Sequence, residues 1–339
     1  MKSTVRFLLI STTCLLINLS TRGQASFQDF LQGGSEDANT LMTHYMTPVL
    51  KGLGSGFNNG WYNTAKAHKP LGFDISFAFN AATVPTVDKS FEFVQTEFNN
   101  TYLANGSSTL PTIVGGQSSS TLEVREKTTG FPITSFQAPS GIAADLPLSA
   151  KVPTPVAQIG LGIYKKTEVK IRFFPSINTN EISFKYFGIG VMHSVSQWIP
   201  AFKDLPVDIS GLIGYTKLSI DYAIPPGPLG TGQSSTFDVK SFTFQAVASA
   251  HVAVLTGYIG VGLNKYNTSM KMLGDYILAS DPLTGNPLTL TDPVNMKVNH
   301  TGMMATFGAR LKLAIFSFNV DYSLQQYKTL SLGFGLTVR

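Results

Sequence analysis

The charged residues of this sequence that could do chemistry stand in segments where apolar residues occupy every second position. Seven of them share the polar positions of such segments: Asp74, Glu168, Lys170, Arg172, Arg310, Lys312 and Asp321. Successive side chains of a β-strand point to opposite faces, so the charges of one strand lie together on one face. Inside a barrel, a ladder of charges can select or guide a solute, although every polar barrel interior needs such residues. We therefore treat these seven residues as lumen-facing candidates.

Histidine and serine residues raise the alternative of hydrolytic catalysis. His193 and Ser194 are neighbours in a strand, so they point to opposite faces and cannot act together as base and nucleophile. His251 or His300 could supply a base, but no acid–histidine–serine set stands at compatible positions. The five histidines also lack the spacing of metal ligands. The sequence therefore predicts no enzyme, no metal site and no cofactor.

The clearest structural signal lies at the carboxyl terminus. Residues 316–324 and 330–338 alternate between apolar side chains and polar or small ones, and the chain stops at Arg339. This alternation predicts strands with one apolar and one polar face, and two such strands at a terminus are typical of a closed membrane barrel. Glycine pairs such as Gly188 and Gly190 lie inside strands, where glycine allows strong curvature and close contact with an aromatic side chain.

The amino terminus has the pattern of a secretory signal peptide. Lys2 and Arg6 precede a mostly apolar run over residues 7–19, and small residues at Gly23 and Ala25 predict cleavage after Ala25. Cleavage removes the only cysteine and lowers the formal charge from +5 to +2, which argues against nucleic acid as a partner.

Composition narrows the class of protein. Charged residues make up 13% of the chain, about half the usual share, and no apolar run outside the signal is long enough for a membrane helix. An exported chain of this kind fits either a soluble β-protein with a large core or an outer-membrane barrel.

Residues 26–69 show no strand alternation. We expect a helix from Glu36 to Val49, capped by Ser35 or Asp37 and broken by Pro48, followed by a glycine-rich stretch. This segment is predicted to lie in the periplasm or to plug the lumen.

Residues 70–339 are predicted to form an all-β, antiparallel transmembrane barrel of about 12 strands, within a range of roughly 10–14. The first strand covers residues 73–79, and residues 91–98 form a candidate second strand. Residues 99–153 are rich in Gly, Ser and Pro and are predicted to be a long functional or occluding loop. Alternation returns at Pro155 and continues through nine segments.

Connection lengths also favour a barrel. The long, turn-rich connections 223–235 and 271–295 fall at one end of the predicted strands, and very short turns near residues 253 and 313 fall at the other. Bacterial barrels place long loops outside the cell and short turns in the periplasm.

Two stretches resemble a known group of proteins. GSGFNNGWYNTAKAHKPLGFDISF (54–77) and most of residues 155–222, beginning PVAQIGLGIYKKTEVKIRFFPS, are similar to an uncharacterised outer-membrane barrel family of Bacteroidetes, a domain of unknown function. The signal ending Gly-Gln-Ala fits the same group. The resemblance implies a barrel fold but carries no activity and no binding residues. More distantly, the glycine-rich segment before the first strand is similar to the plug of outer-membrane long-chain fatty-acid transporters, although their Asn-Pro-Ala type signature is absent here.

These observations lead to two functional expectations. The first is a porin-like passive channel or transporter of the Gram-negative outer membrane, for a small, hydrophobic solute. The alternative is a surface or assembly barrel that transports nothing and binds a partner through its long loops. In either case the expected partners are outer-membrane lipid and the barrel-insertion machinery.

Overall fold

A computed structural model describes residues 29–142, 151–179, 181–199, 206–224, 230–280 and 287–338. The predicted signal peptide, residues 1–25, lies outside the described residues. In chain order the elements are α1 (Ser35–Phe57), β1 (Phe73–Thr83), β2 (Ser90–Glu92), β3 (Thr101–Asn105), β4 (Thr109–Pro111), β5 (Thr121–Arg125), β6 (Pro132–Gln137), β7 (Lys151–Gly162), β8 (Thr167–Asn178), β9 (Ile182–Ser194), β10 (Val207–Ala223), β11 (Gly230–Val252), β12 (Leu255–Ser280), β13 (Pro287–Thr291), β14 (Val294–Leu313), β15 (Phe316–Leu324) and β16 (Thr329–Val338).

Ten of the described strands close into an antiparallel barrel. The ring runs β1, β7, β8, β9, β10, β11, β12, β14, β15, β16 and returns to β1. The first and last strands join in register from Phe73 opposite Val338 to Ala82 opposite Thr329, and β11 pairs with β12 along almost its whole length. Every strand of the ring therefore has two hydrogen-bonded neighbours, and the ring has no open edge among the described residues.

The strand count is ten rather than the preferred 12, the lower value of the expected range. All nine segments predicted from Pro155 onward are strands of the ring, so only β1 precedes them. The candidate second strand over residues 91–98 was wrong as a barrel strand. Its only strand residues belong to β2, which pairs with β4 outside the ring.

The barrel wall is apolar outside and polar inside. Along β15 the exposed positions are Phe316, Phe318, Val320, Tyr322 and Leu324, and Ser317, Asp321 and Ser323 between them are buried. On β1 the residues Phe73, Ile75, Phe77 and Phe79 are exposed, while Asp74 and Asn80 are buried. This period-two pattern is that of an outer-membrane-type β-barrel.

The two ends of the barrel differ. At one end, here named the short-turn end, two residues each connect β11 to β12 and β14 to β15. At the other, here named the long-loop end, β11, β12 and β14 extend well beyond their apolar outer positions. On β12 the exposed residues change from Ile259, Val261 and Leu263 to Lys265 and Asn267 in that direction. The apolar band therefore ends near residue 264.

Helix α1 lies inside the barrel and packs against β1, β7, β11, β12 and β14. It begins at Ser35 without a side-chain cap and continues past Pro48 to Phe57, so the predicted cap and the predicted end at Val49 were wrong. The helix continues through Pro48 and the following glycines because the surrounding wall buries and confines its second half. No helix among the residues described is both long and apolar enough to span a membrane.

The described part of the connection between β1 and β7, residues 84–142, is folded rather than a loose loop. Strands β2 and β4 form one small sheet, and β3, β5 and β6 form another. Together with the first half of α1 they bury an apolar cluster that includes Leu41, Met42, Leu110, Leu122 and Phe136. We call this unit, residues 84–142, the cap. It covers the long-loop end of the lumen.

Candidate functional site

The lumen is the candidate functional site, because the N-terminal segment runs through it. We call residues 35–68 the plug. Its helix starts beside the cap, where Asp37 accepts hydrogen bonds from the backbone N–H groups of Asn99, Asn100 and Thr101 at 2.8, 2.9 and 2.7 Å. Its last residue, His68, lies beside Gly162 at the short-turn end. The plug therefore passes from one end of the barrel to the other.

Glycines let the second half of α1 fit between opposite walls. A Cβ on Gly52 or Gly56 would collide with Val152 or Thr154 of β7, and a Cβ on Gly54 would collide with the ring of Tyr266 on β12. A helix with ordinary side chains is about 10–12 Å wide. The glycines make the helix thinner where the ten-stranded barrel has no room for side chains on it.

After the helix, Trp61 is clamped between the wall and an arginine. Its ring lies against Gly190 of β9 and Gly214 of β10, where a glycine Cβ would come within 2.7 and 2.5 Å of ring atoms. The Arg172 guanidinium stacks on the ring, 3.5 Å from Cζ to the ring centroid. The predicted contact of the in-strand glycines with an aromatic side chain thus occurs, but the aromatic residue comes from the plug.

Arg172 also holds the plug backbone. Its Nη1 donates a hydrogen bond to the Phe57 carbonyl at 2.8 Å, and Nη2 donates one to the Asn59 carbonyl at 2.6 Å. Its Nε donates to Gln158 Oε1 at 3.1 Å. The side chain is fully buried, so this charge depends on these hydrogen bonds and on the Trp61 ring for its stabilisation.

Further hydrogen bonds join the plug to β10 and β11 of the wall. Tyr62 donates from its hydroxyl to Gln245 Oε1 at 2.7 Å. The Ala65 backbone N–H donates to Ser249 Oγ at 2.9 Å, and Ser210 Oγ donates to the Ala65 carbonyl at 2.5 Å. These bonds tie the plug to β10 and β11, in addition to the Arg172 contacts from β8.

A charged cluster closes the short-turn end of the plug. His68 Nε2 lies 3.0 Å from Asp74 Oδ1, and the backbone N–H of His68 donates a hydrogen bond to Glu168 Oε2 at 3.2 Å. Lys170 Nζ forms a buried ion pair with Glu168. Gly160 makes room for both carboxylates, because a Cβ there would collide with Asp74 and Glu168 oxygens.

The cluster contains the ligand types of a metal site, but the Lys170 ammonium already lies among them. Ligand atoms of His68, Asp74 and Glu168 lie within 4.8 Å of one another, which suits a divalent ion. The Lys170 ammonium, however, sits on Glu168 and supplies the positive charge that the carboxylates need. A divalent ion would have to displace the Lys170 ammonium. We therefore interpret the cluster as a set of contacts that attaches the plug to the wall.

The structure places the seven predicted lumen residues as follows. Asp74, Glu168, Lys170, Arg172, Arg310 and Asp321 are buried on the inner wall, and Lys312 is half-buried near the short-turn end. Asp74, Glu168 and Lys170 come together around His68, whereas Asp321 accepts a hydrogen bond from Tyr258 at 2.9 Å. Trp61 and His68 were missed, because no periodicity marks residues that traverse a lumen.

The histidines considered for catalysis have other contacts. His193 Nδ1 lies 2.7 Å from Thr167 Oγ1, and His193 Nε2 lies 3.2 Å from the Gln197 amide nitrogen. Ser194 Oγ contacts Ser196 Oγ at 3.0 Å. His300 packs on the ring of Tyr266.

The cap is bonded to the plug by partly buried polar contacts as well as by its apolar core. Tyr45 of α1 donates from its hydroxyl to the Ser140 carbonyl at 2.8 Å, and burial raises the pKa of Tyr45 to about 12. Lys51 Nζ lies 3.1 Å from Asp88 Oδ2. Cap and plug therefore form one unit at the long-loop end.

With this geometry in place, sequence comparison assigns the family. The chain belongs to a family of unknown function, DUF6588. The family model matches residues 1–338. No curated protein matches the chain. The predicted origin in Bacteroidetes and the distant similarity to fatty-acid transporters stay predictions for this DUF6588 protein.

Solved barrels of several sizes are similar to this DUF6588 protein in structure. Ail, the attachment invasion locus protein of Yersinia pestis, has a TM-score of 0.25 and 6% identity, with 79% of this chain and 98% of that chain covered. The translocator domain of the autotransporter NalP from Neisseria meningitidis has a TM-score of 0.28 and 11% identity, with 90% and 98% covered. The outer-membrane transporter YddB from Escherichia coli has a TM-score of 0.32 and 10% identity, with 79% and 41% covered. None of these likenesses bears on function.

Proposed function

We propose that this DUF6588 protein is a plugged outer-membrane barrel that displays its cap at the cell surface and binds a partner there. The plug clamped by Trp61 and Arg172 is the observation that carries the proposal. A lumen filled from end to end by bonded protein suits a display scaffold better than the expected passive channel.

The outer face of the barrel supports the membrane location. β15 crosses the apolar band in nine residues, which matches the roughly 9–11 residues that a tilted strand needs to cross a bilayer. Tyr164 and Trp198, 72% and 67% exposed, lie at the short-turn end, where interfacial aromatic residues are expected. Signal-directed export through the periplasm is part of the same proposal.

The polarity of the remaining space argues against a hydrophobic solute. A small cavity beside the plug is lined by Tyr62, His68, Asp74, Lys170 and Arg310, among other residues. Such a lining suits water or ions, whereas a hydrophobic solute needs an apolar pocket.

The cap offers a surface for a protein partner. Strand β6 pairs with β5 on one side only among the described residues. Phe131, just before β6, and Ile133 within it are 73% and 58% accessible. An edge strand with exposed apolar side chains can accept an extended segment of another protein as an added strand. We therefore propose a protein partner that binds along β6.

The membrane topology can be tested with single cysteines, because the mature chain is predicted to have none. Lys127→Cys in the cap and Lys165→Cys at the short-turn end would each be treated on intact cells with a membrane-impermeant maleimide. We expect the maleimide to label the cap variant only. Wild-type protein, treated in the same way, is the control and should stay unlabelled. Equal labelling of both variants, or labelling of Lys165→Cys alone, would contradict the proposed orientation.

The closed lumen can be tested by planar-bilayer conductance of the purified protein. Wild-type protein should give no stable current steps. Persistent steps from wild-type protein would show that the lumen is open and would remove the basis of the proposal.

The cap surface can be tested by photo-crosslinking on cells. A photoreactive phenylalanine analogue at Phe131 should give a discrete adduct, whereas the same analogue at exposed Glu92, elsewhere in the cap, should not. Adducts that are absent at Phe131, or equal at both positions, would count against a partner along β6.

Regulated passage of a solute is a second candidate, favoured by the polar cavity and by side-chain contacts between plug and wall that can be broken and remade. Thr64 Oγ1 and Ser249 Oγ lie 3.2 Å apart, so a Thr64→Cys, Ser249→Cys pair can lock the plug by a disulfide. Solute uptake that stops on oxidation of the pair, and not of Thr64→Cys alone, would favour this function. Uptake that is absent in both redox states would favour the display scaffold.

A further inference from the structure

We propose that the short-turn mouth of the lumen binds a small anion, a carboxylate or a phosphate, through Arg310, Lys312 and Lys66. This site lies at the opposite end of the barrel from the cap and goes beyond the proposed partner binding. The ligand chemistry can come from a free solute or from a phospholipid headgroup.

Arg310 has an incomplete set of partners. The residue is 8% exposed, and its Nη2 donates a hydrogen bond to Thr337 Oγ1 at 2.9 Å. Its Nε is buried and has no hydrogen-bond partner among the residues that the structure describes. A guanidinium has five donors in a planar fork, and a buried charged donor without an acceptor is costly. The side chain lines the small cavity together with Asn319 and Thr337.

Two lysines add to this unbalanced charge. Lys312 follows Arg310 by two residues on β14, so both side chains belong to the inner face. Lys66 comes from the plug, two residues before His68, which lies at this same end of the barrel. Within the described part of the chain, none of these three cations has a carboxylate oxygen within 4.0 Å.

The neighbouring carboxylates are already engaged. Glu168 is paired with Lys170, and Asp74 contacts His68. They attract Arg310 only at longer range. Their negative charge weakens the site, so we expect affinity in the millimolar range, as for a solute that binds and leaves. An anion at the mouth would supply the acceptor that Arg310 Nε lacks and separate the three like charges.

The test uses full-length protein with 15N-labelled arginine side chains, in nanodiscs of phosphatidylcholine, and inorganic phosphate as the probe. Proton–nitrogen spectra should show one arginine Nε–H signal that shifts saturably with phosphate but not with potassium chloride of equal ionic strength. That signal should be missing in Arg310→Lys. Phosphate affinity should fall roughly tenfold in Arg310→Lys and roughly threefold in Lys312→Gln.

Arg125→Lys in the cap is the matched control, because Arg125 is paired with Glu123 far from the mouth and its loss should leave phosphate affinity unchanged. Lys312 is only half-buried, so Lys312→Gln keeps the test informative if Arg310→Lys does not fold.

Nanodiscs that contain phosphatidylglycerol separate the two sources of the anion, a free solute and a lipid headgroup. A shift with phosphate supports a free anion, and a shift with phosphatidylglycerol alone supports a lipid headgroup. No saturable shift in either arm, or a shift unaffected by both variants, would overturn the proposal.

Discussion

Replacing Arg172 by methionine should loosen the plug without opening the barrel wall. Among the described wall residues, only Arg172 combines hydrogen bonds to two plug carbonyls with a stacked contact to a plug ring. Methionine fills much of the same volume but supplies neither donors nor charge. The carbonyls of Phe57 and Asn59 would lose their charged partner.

The magnitude follows from the contacts removed. Two charge-assisted hydrogen bonds contribute about 1.5–3 kcal/mol each, and a desolvated cation–π contact contributes about 2 kcal/mol. Relief of the cost of burying the guanidinium offsets part of this loss. We expect a net change of about 3 kcal/mol in the free energy of plug opening, which is roughly a hundredfold rise in the open population.

Hydrogen–deuterium exchange of the protein in detergent measures that population. Amides of residues 57–66 should exchange roughly a hundredfold faster in Arg172→Met, while amides of β5 in the cap should keep their wild-type rates. Arg125→Met is the control, because Arg125 also combines an ion pair with a cation–π contact, to Glu123 and Tyr102, but does so in the cap. Plug exchange within about threefold of wild type would refute the assignment of Arg172 as the residue that holds the plug.

Three other predictions concern the fit of the plug, the cap and the last strand. Gly214→Ala places a Cβ 2.5 Å from Trp61 Cε2 and should destabilise the plugged state by about 1–3 kcal/mol, whereas Gly211→Ala on the same strand meets no atom of the described residues within 4 Å; equal plug exchange in the two variants would contradict the tight fit. Asp37→Ala removes the acceptor of three backbone N–H groups and should speed proteolysis of the cap while the barrel keeps its heat-modifiable gel mobility; an unchanged cleavage rate would argue against this role. Leu336→Asp puts a carboxylate on the outer face of β16 and should reduce the membrane-inserted fraction; normal insertion would show that this face does not meet lipid.

The strands of the ring were largely predictable from the sequence. Nine alternating segments after Pro155 and one before it are enough to form the ring, and the error in strand number came from assigning barrel strands to residues that belong to the cap. Short strands such as β2 pair only locally, and a three-residue strand has too little alternation to be told from a loop.

The lumen charges were predictable as a set but not as a site. Period-two alternation placed Asp74, Glu168 and Lys170 on inner faces, because the pleat dictates side-chain direction. Their meeting around His68 depends on the register of β1, β7 and β8 and on the path of the plug, neither of which leaves a periodic trace.

The sequence by itself therefore determined that the chain forms an outer-membrane-type barrel, which face of each strand is apolar, and how the loops are divided between its ends. These properties follow from local geometry, since alternation and turn residues act over a few positions. Only the tertiary structure decided that the lumen is filled. The plug binds through glycine gaps, a single arginine and scattered hydroxyl groups on strands distant in the chain, and such complementarity exists only once the barrel has closed around the segment.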